Sequence, residues 1–205
     1  MKKVMSVILA ATLTLCLCAC GENEYRDKYD KKIEEIMADS VEIECKWLID
    51  PNAIPYDMSN AEIFDIEQTY INFSPEIRVR RINEYYYTFA VKTNLRDEGM
   101  VRDELESSIT EEEYNNLIAK KEGNTISKTR YQFLDDEGYL IAIDIFHGDL
   151  DGLAYMEIEF ANAEEAYAYV EPDWVIADVT DDVNYKNGHL ARYGIPESYY
   201  EYTKE

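Results

Sequence analysis

The 205-residue chain carries 43 Asp and Glu against 20 Lys and Arg, a net charge of -23 at pH 7. That balance repels nucleic acid and anionic lipid surfaces over long range and excludes both as electrostatically recruited partners. An apolar content of 46%, with 18 Tyr and 6 Phe, supplies a core of ordinary size and excludes disorder for most of the chain.

Residues 1–19 read as an export signal. A basic start at Lys2 and Lys3 leads into the apolar run Val4 to Leu17, too short for a confident spanning helix, and then Leu17-Cys18-Ala19-Cys20-Gly21. This ending resembles a bacterial lipobox and implies lipidation of Cys20, a membrane anchor and an extracytoplasmic location. Residues 20–39 read as a polar tether that becomes helical where Tyr29, Ile33, Ile36 and Met37 recur. Cys45 would then be the one thiol of the processed domain, so no internal disulfide framework is expected.

Residues 40–205 read as one domain, with strands expected over 41–49, 64–73, 76–82, 85–93, 100–108, 126–134, 139–146 and 153–160. Asn83-Glu84 and the stretch from Asp135 to Gly138 are hairpin-like spacers, which favours an antiparallel sheet. The box Thr110-Glu111-Glu112-Glu113 opens a helix to Lys121, and Asn162 caps another from Ala163 to Tyr169. Pro172 and Asp173 end that helix before a less regular tail.

Seven stretches alternate charged and apolar residues with period two. In Val41-Glu42-Ile43-Glu44-Cys45-Lys46-Trp47 the acids and Lys46 share one strand face, and Ile43, Cys45 and Trp47 the other. The same parity elsewhere collects Arg78, Arg80, Lys92, Arg102, Glu104, Glu106, Lys128, Arg130, Asp144, Glu157 and Glu159. Cations are concentrated on this face although acids dominate the chain. Several Arg and Lys side chains around one cleft suit a polyanion such as triphosphate. Carboxylates on the same face would repel it unless Mg or Mn bridged the two, and Glu-x-Glu carboxylates about 6.6 Å apart along a strand suit a hard cation.

These residues carry a resemblance. Glu42-x-Glu44-x-Lys46, Arg78-x-Arg80, Tyr87-Thr88 leading to Lys92, Arg102-x-Glu104, Lys128-x-Arg130-Tyr131, Asp144, Glu157-x-Glu159-Phe160 and Asp178-Val179-Thr180 resemble, in order, the CYTH or triphosphate tunnel metalloenzyme family, over about residues 40 to 193. Its short bacterial members hydrolyse inorganic triphosphate. The resemblance implies a mainly β (α+β) fold, an eight-stranded antiparallel closed barrel with a few helices outside. It further implies metal binding by Glu42, Glu44, Glu157 and Glu159, and substrate binding by Lys46, Arg78, Arg80, Lys92, Arg102, Lys128 and Arg130. Lys46 and Asp144 are the expected catalytic groups, Asp144 orienting water. Asn184 departs from the Arg common beside Tyr185 in relatives, while Cys45 and Trp47 depart on the face expected to be packing. Residues Asn94 to Gly99 lengthen a turn.

A polyanion-binding lipoprotein without turnover, and less readily a class IV type adenylate cyclase, are the alternatives. The oligomeric state, monomer or dimer, stays open. His147 reads as a hydrogen-bonded structural residue, and no zinc-type or Ser/His/Asp pattern is present.

Overall fold

Alternation of side chains along each strand divides this domain into two differently furnished faces. The computed structural model describes residues 41–93 and 101–203, but not the side chains of residues 41, 42, 93 and 101–103. The expected signal segment, the tether, Cys20 and the insertion at 94–99 therefore lie outside the described residues, as do the side chains of Glu42 and Arg102. Residues 42–205 form one compact unit.

The strands are β1 (Val41–Leu48), β2 (Glu62–Phe73), β3 (Glu76–Ile82), β4 (Tyr86–Thr93), β5 (Val101–Ile109), β6 (Glu122–Leu134), β7 (Leu140–His147), β8 (Ala154–Glu159) and β9 (Ala177–Asp178). They form one sheet in the order β5-β4-β3-β2-β6-β7-β8-β1-β9, with a further pairing of β5 to β1. The registers of the neighbouring pairs are antiparallel. Asn83 and Glu84 take positive φ values of 49° and 65°, the twist a tight β3–β4 hairpin needs.

The expected closed barrel of eight strands requires correction. The sheet has nine strands and runs to an edge at β9, a two-residue strand in what the sequence presents as an irregular tail. Trp47 and Leu48 pair with Met156 and Tyr155 of β8 on one side and with Asp178 and Ala177 of β9 on the other. That end of β1 is thus saturated, and β5 can meet only the preceding part of the strand.

Among the described residues four α-helices accompany the sheet: α1 (Glu111–Ile118), α2 (Ala163–Ala168), α3 (Asn187–Tyr193) and α4 (Tyr199–Tyr202). Thr110 and Glu113 form the reciprocal capping box of α1, and Asn162 accepts from the Glu165 N–H at the start of α2. The tail is more ordered than its composition suggests, because α3 lies against β2 and β6.

Two apolar cores occupy opposite faces. Cys45, Trp47, Ile141, Ile143, Met156 and Ile158 form the outer core, with Ala166 of α2 packed in. Leu48, Tyr70, Ile126, Phe146 and Tyr155 lie on the opposite face and pack against Val179, Tyr185, Leu190 and Ala191 of the tail. The charged face is therefore charged over one part and apolar over the rest.

Ile143 is fully buried between Tyr131 of β6 and Met156 of β8. Replacing it with Ala should lower stability by roughly 2–5 kcal/mol in chemical denaturation. Leu134, 68% exposed, should tolerate Ala within about 0.5 kcal/mol.

Candidate active site

Cross-strand register gathers the charged residues. Lys46 of β1 stands opposite Glu157 of β8, Arg130 of β6 opposite Asp144 of β7, and Lys92 of β4 opposite Glu104 of β5. Directly opposed residues share a face, so each pairing places unlike charges together. Lys46 is held further by its backbone, whose N–H donates to Thr180 Oγ1 at 2.9 Å while its carbonyl accepts from the Val179 N–H.

The result is two groups of ion pairs on one face, in which Lys46, Arg78, Lys128, Asp144 and Glu157 are all buried. Lys46 Nζ lies 2.7 Å from Glu157 Oε1 and 3.4 Å from Glu44 Oε1. Arg130 donates to the other Glu157 oxygen and forks onto both oxygens of Asp144, each at 2.7 Å. Lys128 donates to Asp144 as well. Across the site, Glu104 accepts from Arg78 and sits 3.0 Å from Lys92 Nζ. Gln68 Oε1 joins two cations, accepting from Arg78 Nη1 at 3.1 Å and from Arg80 Nε at 2.8 Å.

Burial would protonate these acids and deprotonate these bases, but the pairs reverse most of it. Against burial, Lys46 and Arg130 hold the Glu157 carboxyl well below its usual range, and Arg130 with Lys128 lowers that of Asp144. Against burial, Arg78 and Lys92 bring Glu104 down to about 2. Lys46 is raised by Glu157 and Glu44 despite burial. Lys128 is the exception: burial, with Arg130 and Arg80 nearby, lowers it to about 8 although Asp144 opposes the shift.

Of the expected metal acids, Glu44 and Glu159 stand directly opposite each other. Partial burial and the neighbouring Glu44 and Glu104 charges raise the Glu159 carboxyl. Two facing carboxylates that repel each other, offering only oxygen, fit a hard divalent cation. Among the described residues no three acid, His or Cys side chains converge as a metal site. Glu42, two residues from Glu44 on the same strand, is the further donor the sequence supplies. Glu157, expected beside these acids, has its two oxygens engaged by Lys46 and Arg130, and Asp144, expected to orient water, has both engaged by Lys128 and Arg130.

Gln68 and the clamping role of Glu104 escape a search for alternating charge, Gln68 because it is neutral. Its signal is position, two residues before Tyr70, whose hydroxyl accepts from its Nε2 at 2.6 Å. Cys45 is buried in the outer core, where burial and Asp178 push its thiol up to about 11. His147 meets Thr129 Oγ1 through Nε2 at 2.8 Å. Asn184 bonds Asp182 through its backbone and side-chain amides, serving a turn.

Because Glu104 is depressed from 4.5 to about 2, it contributes stability above about pH 4.5 that disappears as pH falls toward 2. In acid unfolding followed by circular dichroism, Glu104→Gln should show a shallower loss across that window than the parent.

Residues 40–180 match the CYTH domain model. The inorganic triphosphatase of Nitrosomonas europaea is 34% identical over 118 residues, which are 58% of this chain and 76% of that protein. The inorganic triphosphatase of Acetivibrio thermocellus is 32% identical over 154 residues, 74% of this chain and 93% of its own. The crystal structure of the inorganic triphosphatase NE1496 superposes with a TM-score of 0.54 at 30% identity, covering 73% of this chain and 93% of that one. A sheet that assembles these charges in this register, together with the match over residues 40–180, makes the chain a member of the CYTH domain family.

Proposed function

We propose that this protein hydrolyses inorganic triphosphate, with a divalent cation, on the charged face of its nine-stranded antiparallel sheet. The observation that carries the reading is the convergence of Lys46, Arg78, Arg80, Lys128 and Arg130 on one face, three of them buried, beside the facing pair Glu44 and Glu159. The inorganic triphosphatases to which the chain is similar support the same substrate.

The bases bind the phosphates. Arg78, Arg80 and Arg130 offer forked donors to non-bridging oxygens, while Lys46 and Lys128 place point charges. Lys92 extends this set, and the family resemblance assigns Arg102 the same role. The carboxylates keep the bases charged and aimed before substrate arrives, so little reorganisation is left for the reaction. Glu44 and Glu159, with Glu42, would hold Mg or Mn, which when bound would neutralise phosphate charge and polarise the phosphorus. Glu157 serves this site by fixing Lys46 and Arg130. Attack of water on a terminal phosphorus breaks one anhydride bond and gives pyrophosphate and phosphate. A substrate that draws Lys128 and Arg130 onto its own oxygens frees Asp144 to accept a hydrogen bond from that water. Lys46 stabilises the charge gathering on the phosphoryl oxygens.

The lipobox-like Leu17-Cys18-Ala19-Cys20 supports export and lipid anchoring at Cys20. Cys20→Ala should move the protein from the membrane to the soluble fraction in the cell that makes it.

Phosphate release from triphosphate should vanish with chelator and return with Mg or Mn. Arg78→Ala should reduce kcat/KM by about 10²–10³-fold, and Glu44→Gln by at least about 10-fold. Tight triphosphate binding without phosphate release would make the protein a polyanion binder instead.

The Lys128 value of about 8 gives a pH dependence. Its ammonium is present below that value and lost above it, so KM for triphosphate should rise as pH climbs through 8. Lys128→Arg, which stays charged, should flatten the rise in steady-state kinetics.

A further inference from the structure

Thr88 lies in β4, 2% exposed, and its Oγ1 has no hydrogen-bond partner. Two other buried threonines differ: Thr69 Oγ1 meets Thr125 Oγ1 at 3.0 Å, and Thr180 Oγ1 accepts from the Lys46 N–H. A buried hydroxyl left unmatched is costly, and such groups cluster where a ligand completes them.

The register gives the hydroxyl a direction. Thr88 stands directly opposite Arg80, as Ala90 stands opposite Arg78 and Lys92 opposite Glu76, so it belongs to the charged face. The outer side of the neighbouring strands is occupied by α1, which packs on β2, β3 and β4 and sets the Tyr114 ring against that of Tyr87, tilted by 43° with centroids 5.0 Å apart.

Arg80 is also unusual. Lys46 and Lys92 each have a carboxylate oxygen within 3.0 Å, and Arg78, Lys128 and Arg130 have closer ones still. Arg80 bonds the neutral Gln68, and its carboxylate contact, Glu106 Oε2, is 3.7 Å away. Among these cations it is the one least neutralised by the protein. An unpartnered donor and an under-neutralised guanidinium thus face one another on adjacent strands.

We propose that the Thr88 hydroxyl is a substrate-binding group, donating a hydrogen bond to a phosphate oxygen that Arg80 holds. The inference rests on the triphosphate reading above and adds a contact to it. The oxygen takes the guanidinium's charge and the hydroxyl's proton together, so one phosphoryl group satisfies both side chains. Ala90, two residues along the same face, offers no competing donor.

Thr88→Val keeps the shape and removes the hydroxyl, while Thr88→Ser keeps the hydroxyl and removes a methyl. Both should fold with parental thermal midpoints to within a few degrees. Kinetics on triphosphate should show the Val variant losing on the order of 10-fold in kcat/KM, with the Ser variant within about 3-fold of the parent. Titration calorimetry with triphosphate and Mg should show the same order of affinities. Parental values in the Val variant would overturn the proposal, as would equal losses in both variants, which mark a packing role. If the parent binds triphosphate without releasing phosphate, the hydrolytic reading fails while the calorimetric comparison still decides the role of Thr88.

Discussion

The structure depends on a chain of opposite charges, Lys46–Glu157–Arg130–Asp144–Lys128, all but Arg130 buried, held inside a protein whose net charge is -23. Taking any one of these ions out of water alone would cost several kcal/mol. The network persists because each ion has a partner set by strand register, and because the sheet cannot slip by one residue without carrying Ile143 and Met156 to the wrong face. Cross-strand pairing therefore specifies two things at once, which residues are in the core and which charges meet. Such a network is weak evidence for stability and better evidence for function, since an apolar filling of the same volume would hold the sheet together equally well.

The apolar part of the same face explains how the charges stay aimed. Leu48, Ile126, Phe146 and Tyr155 stand two residues from Lys46, Lys128, Asp144 and Glu157 at the same parity, and the tail segments around Val179, Tyr185 and Leu190 close over them. Lys46 Nζ lies 5.1 Å from the centre of the Tyr155 ring, and Lys128 Nζ 5.5 Å from that of Phe146. At those distances the ring faces attract the ammonium groups and exclude water from one side. Water exclusion in turn strengthens every remaining electrostatic contact. The tail also supplies Thr180 to the Lys46 backbone, so a segment with little chemistry of its own fixes the position of that buried base.

Strand positions, hairpins and the opposed charges were legible because period two is imposed by the backbone and holds wherever a strand is straight. The reading fails where that premise fails. In β2 the pattern inverts: Glu67 pairs outward with Arg81, and Asp65 with Thr129, while Phe64 and Ile66 stand opposite Arg130 and Lys128. A charge search on β2 thus selects the wrong face and passes over Gln68. The tail was illegible for a different reason. Two-residue β9 and the short α3 owe their form to packing on β1, β2 and β6, which no local periodicity announces. Lys46, Arg78, Arg80, Lys128, Arg130, Asp144, Glu157 and Glu159 come together as their parity requires. Parity alone, however, could not separate Glu157, engaged by two cations, from Glu159, which faces another acid.

That separation bears on selectivity. A ligand entering this face must compete with Glu157, Asp144 and Glu104 for bases those acids already hold. An anion with one or two charges can replace one carboxylate and leaves the others in place, gaining little beyond what the protein provides for itself. An anion with several charges spaced along a chain can engage Lys46, Arg78, Lys128 and Arg130 together, and Arg80, least neutralised of the set, adds attraction that no carboxylate has to surrender. Each released carboxylate then becomes an uncompensated negative charge, and a divalent cation delivered with the substrate is the chemically suitable counterweight. Internal acids therefore do more than balance charge in the empty protein. Under the proposed triphosphatase reading they set a threshold on the ligand's charge, with the facing pair Glu44 and Glu159 as the proposed place for the accompanying cation.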